Sequence, residues 1–181
     1  MKRSLSKTSR FLSLILRHKP ERVGLELDDG GWIEVSALLD ALDAHGSPVS
    51  QQQLERVVEQ NDKQRFTIRD GKIRANQGHS VSVELNLVPR APPDQLFHGT
   101  ASRSMAAILE HGLKPMRRQH VHLSWEIAVA RNVGSRHGRP EVLVVDAARM
   151  AADGFRFFLS DNKVWLTDSV PSRYLRVYQD S

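Results

Sequence analysis

The prolines of the stretch VPRAPP (88–93) constrain the fold more than any other feature of the chain. Proline lacks a backbone N–H and holds φ near one value, so neither a helix nor a central strand can run through Pro89, Pro92 and Pro93. An extended linker is expected there instead. It places a boundary near Arg90–Pro93, with one lobe over residues 1–90 and another over 91–181. The two sides differ in pattern. Before the prolines, apolar residues recur at helical spacing between good caps. After them, short apolar runs are broken by turn formers. The expected fold class is therefore α+β. A chain of 181 residues suits one domain or two small lobes.

In the first lobe, residues 5–17 read as a helix with Leu5, Leu12, Ile15 and Leu16 on one face, and Pro20 stops it. Leu25–Leu27, the turn DDGG and the run WIEV read as a short hairpin. Ser36 is expected to cap a helix carrying Leu38, Leu39 and Leu42, with Gly46 as its stop. Ser50 and Gln53 form a capping box for QQQLERVVEQ, with Leu54, Val57 and Val58 turned inward. Asp70-Gly71 between RFTIR and KIRA is a strong hairpin signal. VSVELNL (81–87) reads as a strand leading into the prolines. Short helices followed by a hairpin suggest a winged-helix-like lobe. The second of those helices, however, sets Arg56 against Glu55 and Glu59, which is too acidic for a face that reads duplex DNA. Positive residues gather instead at RHK (17–19) and along KQRFTIRDGKIR (63–74), which suits a phosphorylated substrate. Arg17 and His18 also sit where a helix C-terminus favours cations for its own sake.

In the second lobe, a strand ends on His98, Gly99 and Thr100, and HVHLS presents His120, His122 and Ser124 on one face. Glycine admits a close approach to the backbone, while Thr, Ser and His offer hydrogen bonds, so this stretch reads as a cradle for a nucleotide. SMAAILEHGL is a short helix stopped by Gly112, with Leu113 packing back on it. WEIAVARNVGSRHG begins as a helix and ends in a glycine-bounded turn whose Arg136, His137 and amides suit a pyrophosphate. EVLVVDA is a buried strand. FRFFLSDN, KVWLTD and RYLRVYQ are further strands, and the hairpin around SDNKVWLTDSVP should bury Trp165. No GxGxxG or GxxxxGK[ST] pattern is present, so neither a Rossmann nor a P-loop site is supported.

Composition narrows the function classes. The net charge of +5 favours a polyanionic partner. The absence of cysteine excludes disulfides and thiolate chemistry. His120 and His122 form an HxH pair, but no third and fourth ligand completes a metal site, so no metal is expected. No apolar run is long enough to span a bilayer. The basic, leucine-containing N-terminus lacks a cleavage site and reads as an amphipathic helix, so a cytoplasmic protein is expected.

Taken together, LILRHKP, RFTIRDGKIRANQGHS, LFHGT, RRQHVHLS, VGSRHGRPEVLVVDA and SDNKVWLTDSVP closely resemble the RNA 2′-phosphotransferase family, in order and over essentially the whole chain. The resemblance implies a winged-helix-like first lobe and a second lobe of the ADP-ribosyltransferase type that binds NAD⁺. It implies a reaction in two steps. An internal RNA 2′-phosphate attacks C1″ of the nicotinamide ribose and nicotinamide leaves. The ribose O2″ then attacks that phosphorus, giving RNA with a free 2′-OH and ADP-ribose 1″,2″-cyclic phosphate. The family's catalytic tetrad maps to Arg17, His18, Arg65 and Arg118, the last chosen over Arg117 for its place two residues before His120. His98 and His122 take the two histidine positions of the family's NAD⁺ signature, with an apolar residue near Val164 at the third. Gly99, Thr100, Ser124, Arg136 and His137 are expected to help hold the dinucleotide. Lys163 stands at a turn where the family pattern has a small, glycine-like residue. The implied partner is RNA carrying an internal 2′-phosphate, such as spliced tRNA; no metal is required, and a monomer is expected. Two other readings are open: an ADP-ribosyltransferase acting on other nucleic-acid phosphates, and a non-enzymatic winged-helix DNA-binding protein.

Overall fold

Leu12, Ile15 and Leu16 have no exposed surface, and the chain before Pro20 winds around that stripe as helix α1 (Lys2–Arg17). The computed structural model describes residues 2–61 and 63–179, with side chains except those of residues 2–4 and 137. Two compact units result, Met1–Asn86 and Leu87–Ser181. Both mix helices with small antiparallel sheets, so the fold is α+β, as expected.

In the first unit, α1 ends where His18 and Lys19 both donate to the Leu14 carbonyl, and Pro20 opens a tight 3₁₀ turn. Helices α2 (Val35–Ala44) and α3 (Gln51–Glu59) bury Leu38, Leu42, Leu54 and Val57 against the α1 stripe, with Phe66 and Ile73 completing the core. The α3 capping box forms as read: Ser50 Oγ accepts from Gln53 N–H, and the Gln53 side chain accepts from Ser50 N–H. Strands β2 (Phe66–Arg69) and β3 (Lys72–Ala75) pair across Asp70-Gly71, both with positive φ (50° and 76°), the geometry a two-residue hairpin turn needs. Strand β1 (Trp32–Glu34) joins on the other side of β3.

Three local readings of this unit are corrected. Leu25–Leu27 form no strand; the turn at Asp28 closes on Trp32, but the ladder partner of β1 is β3. Ser36 does not cap α2. The helix starts one residue earlier, and its first donor, Val35 N–H, goes to the Gly71 carbonyl at 2.8 Å, so a distant turn does the work of a cap. Residues 81–87 alternate burial as a strand would, with Val83 and Leu85 inward, yet they belong to none of the sheet ladders among the described residues; Glu84 N–H donates to the Asp29 carbonyl in the loop before β1.

In the second unit, β4 (Gln95–Ala101), β6 (Pro140–Asp146) and β9 (Leu175–Val177) form one sheet with β6 central. A second sheet has β8 (Trp165–Thr167) between β5 (Val121–Leu123) and β7 (Phe157–Leu159). Phe97 and Ser124 exchange backbone hydrogen bonds of 2.7 and 2.8 Å and tie the two sheets together. Leu96, Leu143, Val145, Val121, Phe157 and Trp165 fill the core. Helix α4 (Met105–His111) stops at Gly112, and Leu113 packs back into this core as read. Helix α5 (Ile127–Gly134) runs into a 3₁₀ turn at Ser135–His137. Helix α6 (Ala147–Ala152) follows β6 directly, with Asp146 accepting from Arg149 N–H; the good helix formers ARMAA after an Asp were its signal. Lys163 does adopt the left-handed backbone, at φ 60°. The buried Ser160 holds that turn, accepting from Val164 N–H through its hydroxyl and from Lys163 N–H through its carbonyl.

Candidate active site

A helix C-terminus leaves carbonyls without intrahelical partners. At the end of α1 the Arg17 carbonyl is taken by Ser80 N–H (2.9 Å) and Val81 N–H (3.4 Å), so the segment after β3 folds over the residues that carry charge. The Ser80 hydroxyl lies 2.9 Å from Nδ1 of His18. Arg17 Nη2 donates to the Arg65 carbonyl at 3.4 Å, and Arg65 Nη1 donates to Asn61 Oδ1 at 3.0 Å. Arg17, His18 and Arg65, chosen from separate parts of the sequence, therefore share one hydrogen-bonded neighbourhood. Two arginines and an imidazole so grouped can bind a phosphate and stabilise charge that develops on it.

His79 lies inside this group, 1 % exposed, with neither ring nitrogen hydrogen-bonded. Burial is the first cause that pushes its pKa down to about 4, and the positive charges of Arg17, Arg74 and His18 add to it. The imidazole is neutral at pH 7. This predicts an acid-labile first unit. Between pH 6.5 and about 4 the unfolded chain holds a proton at this site that the folded chain does not, so stability falls as pH falls through that window. The shift amounts to roughly 3 kcal/mol lost by pH 4. Urea titrations at several pH values check this: His79→Leu should flatten the acid slope, and an unchanged slope refutes the assignment.

The second unit holds the other group. His98, on β4, donates from Nδ1 to the His122 carbonyl at 3.1 Å, which leaves Nε2 as the acceptor. Burial lowers the His98 pKa; the hydrogen bond to His122 opposes that and the Arg118 charge reinforces it. Arg118 Nη1 donates to His122 Nδ1 at 2.8 Å, which requires the opposite tautomer on His122, with the proton on Nε2. One histidine offers a lone pair and the other an N–H. Arg118, rather than Arg117, makes this contact. Partial desolvation and then the nearby Arg136 lower its own pKa.

Other chosen residues have roles in the fold. An added Cβ at Gly99 would stand 1.6 Å from the Ala130 carbonyl oxygen, and one at Gly134 would stand 2.6 Å from the Thr100 carbonyl oxygen. The backbones of β4 and α5 thus lie directly against each other, and Thr100 is buried beside that contact. The Ser124 hydroxyl starts the turn into α5, accepting from Glu126 N–H and donating to its carbonyl, both at 3.1 Å. Val164 sits in the turn before β8, its carbonyl accepting from Ser160. Arg136 is exposed, and the side chain of His137 lies outside the described residues. His120 stands apart, against Phe158 and 3.8 Å from Asp168.

Sequence reasoning missed Asn61, Asn76, His79 and Ser80 as supporting groups. The last three lie in the block RANQGHS, whose polar density right after a strand was the available signal. Among the described residues, no helix is long and apolar enough to cross a membrane.

Comparison with known proteins places this geometry. The family model described as RNA 2′-phosphotransferase, Tpt1 / KptA family, matches residues 3–169. A "Probable RNA 2′-phosphotransferase" of Agrobacterium fabrum is 55 % identical over 176 residues, covering 96 % of this chain and 95 % of its own. A protein of the same name from Streptomyces coelicolor is 54 % identical over 170 residues, covering 94 % and 93 %. One from Hahella chejuensis is 47 % identical and covers 100 % of this chain and 98 % of its own. The match runs through α1, the β2–β3 hairpin, β4, β5 and the turns beside them, which carry the two groups of charged and imidazole side chains, and by it the chain belongs to the RNA 2′-phosphotransferase, Tpt1 / KptA family.

Proposed function

We propose that this chain removes an internal 2′-phosphate from RNA in two NAD-dependent steps. The observation that carries the reading is the hydrogen-bonded group of Arg17, His18 and Arg65, present in a chain of this family. The helices and hairpin of the first unit are consistent with a winged-helix-like lobe that binds the RNA phosphate. The two small sheets of the second unit are consistent with an ADP-ribosyltransferase-like lobe that binds NAD⁺.

The residues present suit that dinucleotide. A ribose hydroxyl both donates and accepts, and the opposite tautomers of His98 and His122 supply one acceptor and one donor. Arg136, near Arg118, supplies positive charge for a pyrophosphate. In the first step, a 2′-phosphate oxygen bonds to C1″ of the nicotinamide ribose as the glycosidic C–N bond breaks, and its electron pair leaves with nicotinamide. The nucleophile is already an anion, so this step needs positioning more than a base. In the second, the O2″ hydroxyl gives up its proton and bonds to phosphorus, the bond from phosphorus to the RNA 2′-oxygen breaks, and that oxygen takes up a proton. Charge builds on the non-bridging phosphate oxygens, where Arg17, Arg65 and Arg118 act. His18, whose imidazole can accept a proton at one nitrogen and donate one at the other, suits the proton transfers.

The test is incubation of the protein with NAD⁺ and an RNA oligonucleotide bearing one internal 2′-phosphate. Nicotinamide, 2′-OH RNA and the cyclic phosphate should appear in equal amounts. Nicotinamide release without the cyclic phosphate would assign an ADP-ribosyltransferase instead, and release of none of the three would overturn the proposal.

A further inference from the structure

The loop that presents Arg65 is more elaborate than a connection from α3 to β2 requires. Asn61 is only 8 % exposed, and both ends of its amide are engaged: Oδ1 accepts from Arg65 Nη1 (3.0 Å) and Lys63 N–H (3.1 Å), while Nδ2 donates to Ser9 Oγ (3.1 Å) on α1. Asn76 is also buried. Its N–H donates to the Arg65 carbonyl (2.9 Å), its Nδ2 to the Gln64 carbonyl (2.7 Å), and its Oδ1 accepts from Thr67 (2.7 Å). Between these two asparagines Gln64 is held at φ 40°, a left-handed backbone that a non-glycine residue keeps only when its surroundings impose it. The bond from Asn61 to Lys63 N–H is ordinary turn chemistry. The bond from Asn61 to the Arg65 guanidinium is not needed by the turn; it aims a side chain.

We propose that Asn61 is a positioning residue of the reaction, orienting the Arg65 guanidinium through a buried amide oxygen that brings no negative charge to it. This rests on the reading of Arg65 as a phosphate-binding group. The choice of amide is physically meaningful. An aspartate at this position has the same shape and would hold the guanidinium as well. Its charge would also compete with a phosphate dianion for that guanidinium, in a site where charges attract more strongly than in bulk water. The same amide is anchored by Ser9 to α1, the helix that ends on Arg17 with His18 directly after it, so Arg65 is referenced to the element that positions the rest of its group.

The test compares Asn61→Asp and Asn61→Ala, each with Arg65 intact and with Arg65→Ala. Binding of an RNA oligonucleotide with one internal 2′-phosphate is read by fluorescence anisotropy, alongside NAD-dependent turnover and thermal melting. With Arg65 intact, Asn61→Asp should melt close to the parent protein yet bind roughly tenfold more weakly. With Arg65→Ala, the same change should alter binding by less than about twofold, the non-additivity expected of one residue acting through another. Asn61→Ala should reduce turnover by roughly tenfold with a smaller change in KM, because the guanidinium is still charged but no longer aimed. Parent-like affinity and turnover in Asn61→Asp would overturn the proposal, as would an equal loss in the Arg65→Ala background. Should Asn61→Asp not fold, Asn61→Ala decides: parent-like turnover refutes the role. If Arg65→Ala itself binds and turns over like the parent, the reading of Arg65 falls, a result no Asn61 variant reproduces.

Discussion

Replacing Arg65 by alanine should lower the rate of 2′-phosphate removal by about 10²–10³-fold, the usual consequence of deleting one preorganised donor to a developing oxyanion. Arg118→Ala should lose a similar factor. Most of the loss should fall on kcat, because the guanidinium interacts most strongly when phosphate charge is greatest. Arg65→Lys should recover little, since an ammonium keeps the charge but not the planar fork that meets Asn61 and, in the proposed reaction, a phosphate. The structural cost is modest, about 1 kcal/mol for the lost hydrogen bond to Asn61, so melting curves should separate misfolding from lost chemistry. On the proposed two-step route, a variant that slows the second step more than the first should accumulate ADP-ribosylated RNA, visible as a slower band on a denaturing gel. Near-parent rates in both alanine variants would remove these arginines from the mechanism.

The second large effect is on stability. Gly99→Ala puts a methyl group 1.6 Å from the Ala130 carbonyl oxygen and 3.0 Å from the Gly134 nitrogen. Both are backbone atoms, so no rotamer change relieves the overlap, and β4 and α5 must separate. Overpacking of a well-filled core commonly costs 1–3 kcal/mol, and a backbone clash this close should cost about 3 kcal/mol or more. For a unit of this size that is a drop in Tm of roughly 15 °C. Gly134→Ala presses on the same contact from the helix side, 2.6 Å from the Thr100 carbonyl oxygen. The double variant should therefore lose less than the sum of the two singles, because strand and helix separate only once. Differential scanning calorimetry checks both statements; a Gly99→Ala protein that melts with the parent would show that α5 does not lie on β4 as described.

Gly99 also shows where local reasoning falls short. Its position at the end of an apolar strand beside His98 suggested an approach for a ligand, and that is a sound reading of a glycine met in sequence. The structure adds a requirement independent of any ligand: a helix backbone occupies the space where a Cβ would be. Ser124 is similar, since its hydroxyl also serves the start of α5. In contrast, Arg17, His18 and Arg65 were recognised as a group only through the family resemblance. Composition and spacing showed no more than a cation-rich helix end and a basic hairpin.

Features governed by neighbours a few residues apart were readable in the sequence alone. The Ser50 capping box, the Asp70-Gly71 turn, the stripe of Leu12, Ile15 and Leu16, and the α+β class each follow from periodicity and local hydrogen bonding. Tertiary structure alone decided which distant groups answer a given donor or acceptor. Gly71 supplies the acceptor at the start of α2, β3 rather than Leu25–Leu27 pairs with β1, and Ser80 meets His18. Burial of His79 among cations belongs to the same class. The physical reason is that a backbone or side-chain hydrogen bond is satisfied equally well by a partner near or far along the chain. A partner brought in by packing leaves no trace in the pattern of residues around the donor.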